Sequence, residues 1–294
     1  MGMRGAGWAV GSEAKSIYER LQELDPRYVY LLVIIVISLP LLRPVGIPLG
    51  TMSSETLGLY KYIDSLPPGS VILMIADQSP AAAAECQPGM LAIFQHAVNR
   101  GLRVMFFAAR TDAVPFISDA FKKVIGSEAD HPDYGKRYVN LGFIPQYEVG
   151  LTALAANLLY TTRDAYGKEL KDMEFFSDLP NKNARDLKLA IYYGASAVDW
   201  VVRQLTDPYG VPVGGGVAAV LASRIYPYYP DKVVGFLTGL KGSAEYEVLV
   251  KRPGEAVAGM DAQSLGHLAI VIMVILGNIG YAVSRRRVQG GKRP

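Results

Sequence analysis

Residues 67–78 read PPGSVILMIADQ. Pro67, Pro68 and Gly69 form a turn, and behind it six apolar side chains run without a break from Val71 to Ala76 and stop at Asp77. A run of this length, bounded by a turn and a charge, reads as a strand. Because polar and apolar positions do not alternate in it, the strand must be covered on both faces.

The pattern repeats outward from there. Upstream, Ser53-Ser54-Glu55 opens a helix carrying Leu57, Tyr60 and Ile63. Downstream, a helix over 89–100 leads to a second apolar run over 104–109, followed by helical spacing over 114–125. A weaker strand candidate covers 138–143 and a helix follows over 148–159. Residues 187–193 read as a strand, 198–205 as a helix, and Val211-Pro212-Val213 as the opening of a short strand that ends before Gly214. A helix over 217–226, a last strand over 233–238 and a helix near 243–250 complete the series. Apolar strands separated by helices predict an α/β fold, an open, mostly parallel, Rossmann-like sheet of five or six strands with helices on both faces.

Two longer apolar runs flank this series. Residues 28–42, YVYLLVIIVISLPLL, carry no charge and are followed by a Pro/Gly-rich stretch to residue 50; residues 265–283 are apolar apart from His267 and Asn278. The second has the length of a membrane span, whereas fifteen helical residues reach only about 22 Å of a roughly 30 Å hydrocarbon layer. The Pro/Gly segment or a snorkelling Arg43 would complete the first crossing. The sequence therefore predicts transmembrane helices at 28–50 and 265–283, a cytoplasmic segment at 1–27, an extracytoplasmic domain at 51–264 and a basic cytoplasmic tail at 284–294. The acidic residues Glu13, Glu19, Glu23 and Asp25 ahead of the first run fit an uncleaved anchor better than a cleaved signal. Ile17, Leu21 and Leu24 form one stripe of a leading amphipathic helix.

The charge agrees with that division. The net +3 separates into +1 over 1–51, −3 over 52–264 and +5 over 265–294. Arg285, Arg286 and Arg287, with Lys15, Arg20 and Arg27, put both termini in the cytoplasm by the positive-inside rule. A mildly acidic domain argues against nucleic acid as a partner. With 50% hydrophobic residues and one cysteine, the chain is neither disordered, collagen-like nor a disulfide scaffold.

In a doubly wound sheet, ligands lie outside the carboxyl ends of the strands. Asp77, Arg110, Ser196 and Gly214-Gly215-Gly216 are the candidates there, together with Thr238-Gly239. Arg110 could pair with Asp77 or hold an anion. Three glycines ahead of a helix could cradle an anion or simply make a tight turn, and no phosphate-loop pattern is present. Gly194-Ala195-Ser196-Ala197 lacks the second glycine of a nucleophile elbow, and the only later histidine, His267, lies in a span. Cys86 reads as a packed residue, the three histidines are scattered, and neither a metal nor a cofactor is expected. Tyr226-Pro227-Tyr228-Tyr229-Pro230 could serve a protein or membrane-interface contact or pack on itself. In the second span, His267, Gly277, Asn278 and Gly280 are expected on a helix–helix contact.

Leu59-Tyr60-Lys61-Tyr62-Ile63-Asp64-Ser65-Leu66-Pro67-Pro68-Gly69-Ser70 and Leu240-Lys241-Gly242-Ser243-Ala244-Glu245-Tyr246-Glu247 resemble stretches of uncharacterised prokaryotic two-span membrane proteins. The resemblance covers most of the chain and implies the architecture without an activity. The expectation is a membrane-anchored domain that binds, senses or scaffolds within a homo-oligomer. A tethered hydrolase or transferase using Asp77, Arg110 and Ser196 is the alternative, and an accessory subunit of another membrane protein, a transporter, a third.

Overall fold

The computed structural model describes residues 25–194, 196 and 198–290. The expected amphipathic stripe at Ile17, Leu21 and Leu24 and the basic residues Lys15, Arg20, Lys292 and Arg293 lie outside these. The described chain divides into two compact units, residues 43–261 and a helical unit of residues 25–42 and 262–290.

The larger unit is a six-stranded, wholly parallel sheet in the order β3-β2-β1-β4-β5-β6. Its strands are β1 (Val71–Asp77), β2 (Arg103–Ala108), β3 (Tyr138–Phe143), β4 (Leu187–Gly194), β5 (Val213–Val217) and β6 (Val233–Thr238). Strand order reverses at β1, which pairs with β2 on one side and β4 on the other. The uninterrupted apolar run in β1 follows from this central position. Val71, Leu73 and Ile75 enter one buried cluster and Ile72, Met74 and Ala76 the other, so successive side chains feed cores on opposite faces.

Helices α2 (Ser54–Ser65), α3 (Pro80–Asn99), α4 (Val114–Ile125) and α7 (Gly239–Leu249) cover the second of these faces, contributing Leu59, Phe94, Phe121 and Tyr246 to its core. Helices α5 (Glu148–Ala156) and α6 (199–209, with a π turn over Val202–Thr206) cover the first, with Leu151, Leu154, Trp200 and Leu205. The sequence places the start of α3 nine residues late. Pro80 takes a first-turn position, where its missing N–H costs nothing, and the helix continues through Pro88.

The glycine triplet is the main correction. Gly214, Gly215 and Gly216 are not a turn after β5 but its interior, hydrogen-bonded between β4 and β6. A Cβ on Gly214 would lie 2.5 Å from Leu59 Cδ1, one on Gly216 2.4 Å from Tyr193 Cε1, and one on Gly215 1.8 Å from the Tyr192 carbonyl oxygen. Close packing fixes these residues, and they frame no anion loop. The expected helix over 217–226 is replaced by the end of β5 at Val217 and two short 3-10 turns, Ala219–Arg224 and Tyr226–Tyr228; Pro227 sits in the first turn of the second.

Three buried carboxylates organise the two ends of this unit. Asp261 accepts hydrogen bonds from the backbone N–H groups of Val45 (2.7 Å), Gly46 (2.8 Å) and Ile47 (2.8 Å). Glu247 accepts from the N–H groups of Gly254, Ala256 and Val257, satisfying the first turn of α8 (Glu255–Gly290). Glu245 accepts from the N–H and hydroxyl of Ser53 and pairs with Lys241.

The helical unit contains α1 (Pro26–Leu42) and the part of α8 from Ala262 onward. Within α8, Glu255–Val283 is long and apolar enough to cross a membrane; among the described residues it is the one helix that is, since the 17 residues of α1 span only about 25 Å. Both expose large apolar side chains, including Leu31, Ile34 and Leu39 of α1 and Ile270, Val274 and Ile275 of α8. The sheltered positions of α1, Val29, Val33, Val36 and Pro40, recur every three or four residues, and Gly266, Ala269, Met273 and Gly280 of α8 follow at spacings of three, four and seven, which also keep to one face. Gly266 sits where a Cβ would lie 3.5 Å from Ile37 Cγ1. Of the four residues expected on a helix–helix contact, Gly280 is buried, while His267, Gly277 and Asn278 point outward. Asn278 donates to the Val274 carbonyl one turn back (2.8 Å), which satisfies its amide locally.

Candidate ligand site at the switch point

Strand order reverses between β1 and β4, and in doubly wound sheets ligands bind outside the carboxyl ends of the strands at such a point. Asp77 is the last residue of β1 and pairs in register with Gly194, the last of β4. Tyr192, paired with Ile75, projects from the same face, and its phenol leans forward along the strand to donate to Asp77 Oδ2 at 2.7 Å. Gly194 makes this possible, because a Cβ there would lie 2.0 Å from the Tyr192 hydroxyl. Ser196 Oγ also donates to Asp77 Oδ2 and lies 2.7 Å from the Tyr192 hydroxyl. Two hydroxyls thus converge on one carboxylate oxygen. The other, Asp77 Oδ1, is buried without a hydrogen-bond partner among the described residues.

Asp77 and Ser196 are therefore brought together as neighbours, whereas Arg110 is not Asp77's partner. Its guanidinium forms a two-bond pair with Asp112, Nε to Oδ1 and Nη2 to Oδ2 at 2.8 Å each, and leaves Nη1 3.4 Å from the Tyr147 hydroxyl. Two residues beyond Arg110, Asp112 is the nearer and more exposed acceptor, and it takes the bidentate geometry first. Arg110 acts on Asp77 as a nearby charge only.

Tyr147 and Trp200 complete the surroundings. The Trp200 ring stands edge-on to both Tyr147 and Tyr192, with centroids 5.9 Å apart in each case. Trp200 is buried, and its indole N–H has no partner among the described residues. Gln146 and Tyr147 are consecutive non-glycine residues at φ 68° and 43°. Such conformations cost on the order of 1–3 kcal/mol each and persist where surrounding structure demands them. Here they bring Tyr147 against Trp200 and within reach of Arg110. Sequence reading missed Tyr147, Tyr192 and Trp200, since apolar strands and helices are rich in aromatic residues that carry no ligand.

Burial raises the Asp77 pKa above the ordinary carboxylate value, against the opposing pull of its hydroxyl partners and the Arg110 charge. Burial, reinforced by the Asp77 charge, drives Tyr192 well upward, which keeps it a hydroxyl donor. The linkage sign follows. A carboxyl raised in the folded state is at its most favourable when protonated, below its unfolded value near 3.8, and its contribution is lost as pH rises through the folded value. Asp77→Asn is expected to melt higher than the parent at neutral pH, the difference vanishing on acidification below about pH 4. Equal melting temperatures at pH 7 would contradict this, and parallel thermal melts at both pH values decide it.

The remaining chemistry-bearing residues lie elsewhere. Cys86 is buried, and desolvation pushes its thiol up to about 12. His96 is buried with Nδ1 2.8 Å from the Tyr246 hydroxyl and its ring stacked on Tyr60, and desolvation lowers its pKa. Among the described residues no group of three or more His, Cys, Asp or Glu side chains could hold a metal ion. The space between Tyr192 and the β5 glycines is too narrow for a water molecule. Comparison with protein families, with curated proteins and with solved structures finds no match to this chain.

Proposed function

We propose that the chain is an integral membrane protein with two spans and both termini in the cytoplasm. Its α/β domain is extracytoplasmic and binds or senses a small molecule at the crevice between β1 and β4, within a homo-oligomeric assembly. The observation that carries the binding reading is the buried Asp77 carboxylate, one oxygen fully engaged and the other free, at the point where ligands bind in sheets of this order. Membrane anchoring is supported by the apolar, outward-facing surfaces of α8 and α1, and orientation by the basic run Arg285, Arg286 and Arg287. Exposed Asn278 and His267 on an otherwise apolar helix favour association with a second copy or with another membrane protein, since polar groups in a bilayer face protein.

Two measurements test this reading. Protease added to spheroplasts should cut within 51–264, and protection of that region from outside overturns the orientation. The mass of the detergent-extracted particle should be a multiple of 31.9 kDa after correction for detergent, and a strict monomer overturns the homo-oligomer.

The hydrogen bond from Ser196 Oγ to Asp77 favours a second reading, a tethered hydrolase or transferase in which Asp77 takes the Ser196 proton. A fluorophosphonate that labels Ser196, with labelling lost in Asp77→Asn, would favour the enzyme over the binding protein.

A further inference from the structure

We infer that the crevice takes a polyhydroxylated ligand, a sugar or a sugar-bearing molecule, recognised by Asp77, Trp200, Tyr147 and Ser196; this rests on the binding reading above. The argument begins with hydrogen-bonding capacity left over. Asp77 Oδ1 is a buried acceptor and Trp200 Nε1 a buried donor, neither with a partner among the described residues, and the two residues flank Tyr192. A buried donor or acceptor left unsatisfied is costly, so a structure that keeps both around one phenol is shaped for something that satisfies both.

The ligand must therefore both donate and accept. An ammonium can donate to Asp77 Oδ1 but offers nothing to the indole N–H. A carboxylate or phosphate can accept from the indole but meets the Asp77 charge, and Arg110, already paired twice with Asp112, does little to offset that repulsion. Adjacent hydroxyls do both, one donating its proton to Asp77 Oδ1 and another accepting from Trp200 Nε1. The rim matches the remainder of such a molecule. Tyr147 presents a partly exposed ring to which the C–H face of a sugar can be applied, and Arg110 Nη1 and Ser196 Oγ offer further polar contacts at the edge. Asp77 and Trp200 are buried, Arg110 and Ser196 are partly exposed and Tyr147 is exposed, so the polar groups grade outward from the strand ends to the surface.

Trp200 supplies the readout. The chain has two tryptophans, and in Trp8→Phe the emission comes from Trp200 alone. The full chain in detergent is titrated with methyl glycosides of hexoses, pentoses and N-acetylhexosamines, and separately with putrescine, tetramethylammonium and inorganic phosphate. The expected result is a saturable change in Trp200 emission with at least one glycoside. Its affinity should fall about tenfold or more in Asp77→Asn, the loss expected when one charge-assisted bond is removed from a buried site, and measurably in Ser196→Ala. Each variant is checked by its melting curve, and calorimetry on Trp200→Phe gives a measure of affinity independent of fluorescence. Saturation by an amine or by phosphate, with none by any glycoside, overturns the ligand class and leaves the crevice a binding site. Glycoside binding undiminished in Asp77→Asn and Ser196→Ala places the ligand elsewhere and overturns the inference. Silence towards every probe overturns both the ligand class and the binding reading.

Discussion

Gly215→Val is expected to prevent the α/β domain from folding. The added Cβ would stand 1.8 Å from the carbonyl oxygen of Tyr192 and 2.7 Å from its carbonyl carbon, and these are backbone atoms of the paired central strand. No rotamer can relieve such a contact, and φ 142° is a conformation that L side chains rarely adopt. Ordinary overpacking in a core costs about 1–3 kcal/mol with neighbours that can move. Here they cannot, and the expected loss takes most of the 5–15 kcal/mol typical of a folded domain. Gly210→Ala is the control. Gly210 also has positive φ, at 71°, but a Cβ there meets nothing within 4 Å, so the substitution should cost only about 1 kcal/mol of backbone strain. Circular-dichroism melts of the two variants should differ by far more than either measurement's error. A cooperative melt for Gly215→Val within a few degrees of the parent would mean that the triplet is not inside β5.

Asp261→Leu is expected to unfasten the segment that enters the domain. Val45, Gly46 and Ile47 donate all three of their backbone N–H groups to this one buried carboxylate. Hydrogen bonds to a charged group contribute roughly 1.5–3 kcal/mol each, and none of the three has another partner among the described residues. Leucine keeps the volume and removes every acceptor. The segment should then exchange its amide protons rapidly and become a site of limited proteolysis, while the sheet, whose cores lie elsewhere, keeps its melting transition. Asp261→Asn, which retains one acceptor oxygen, should show intermediate protection. Amides 45–47 as slow to exchange in Asp261→Leu as in the parent would show that the carboxylate is not what holds them.

The parallel sheet was legible because its signal is local. The runs at 71–76, 187–193 and 233–238 are too short for helices and too continuous for half-exposed strands, and β1, β4 and β6 begin where those runs begin. β5 was not legible. Its sequence, Val-Gly-Gly-Gly-Val, has the composition of a turn, and only contacts from Leu59, Tyr192 and Tyr193, remote in the chain, make side chains intolerable there. The candidate site divides along the same line. Asp77 and Ser196 stood out as polar residues closing apolar strands, and they do meet. Tyr192 is an ordinary strand aromatic until Gly194 lets its hydroxyl reach forward, and Trp200 is an ordinary helix residue until its N–H is seen to lack a partner. The pairing of Arg110 with Asp112, two residues away, defeated a reading built on matching positions in different strands.

The bonds from residues 45–47 to Asp261 have a topological consequence. Residues 45–47, at the start of the larger unit, are hydrogen-bonded to its last residue, so its chain of more than two hundred residues is nearly a closed ring in all but a covalent link. A ring of this kind can be opened at another exposed loop, or spliced as a cassette into a foreign loop, without stretching any strand from its neighbours. The architecture is that of an insertion, and the helical leads at its two ends are its host.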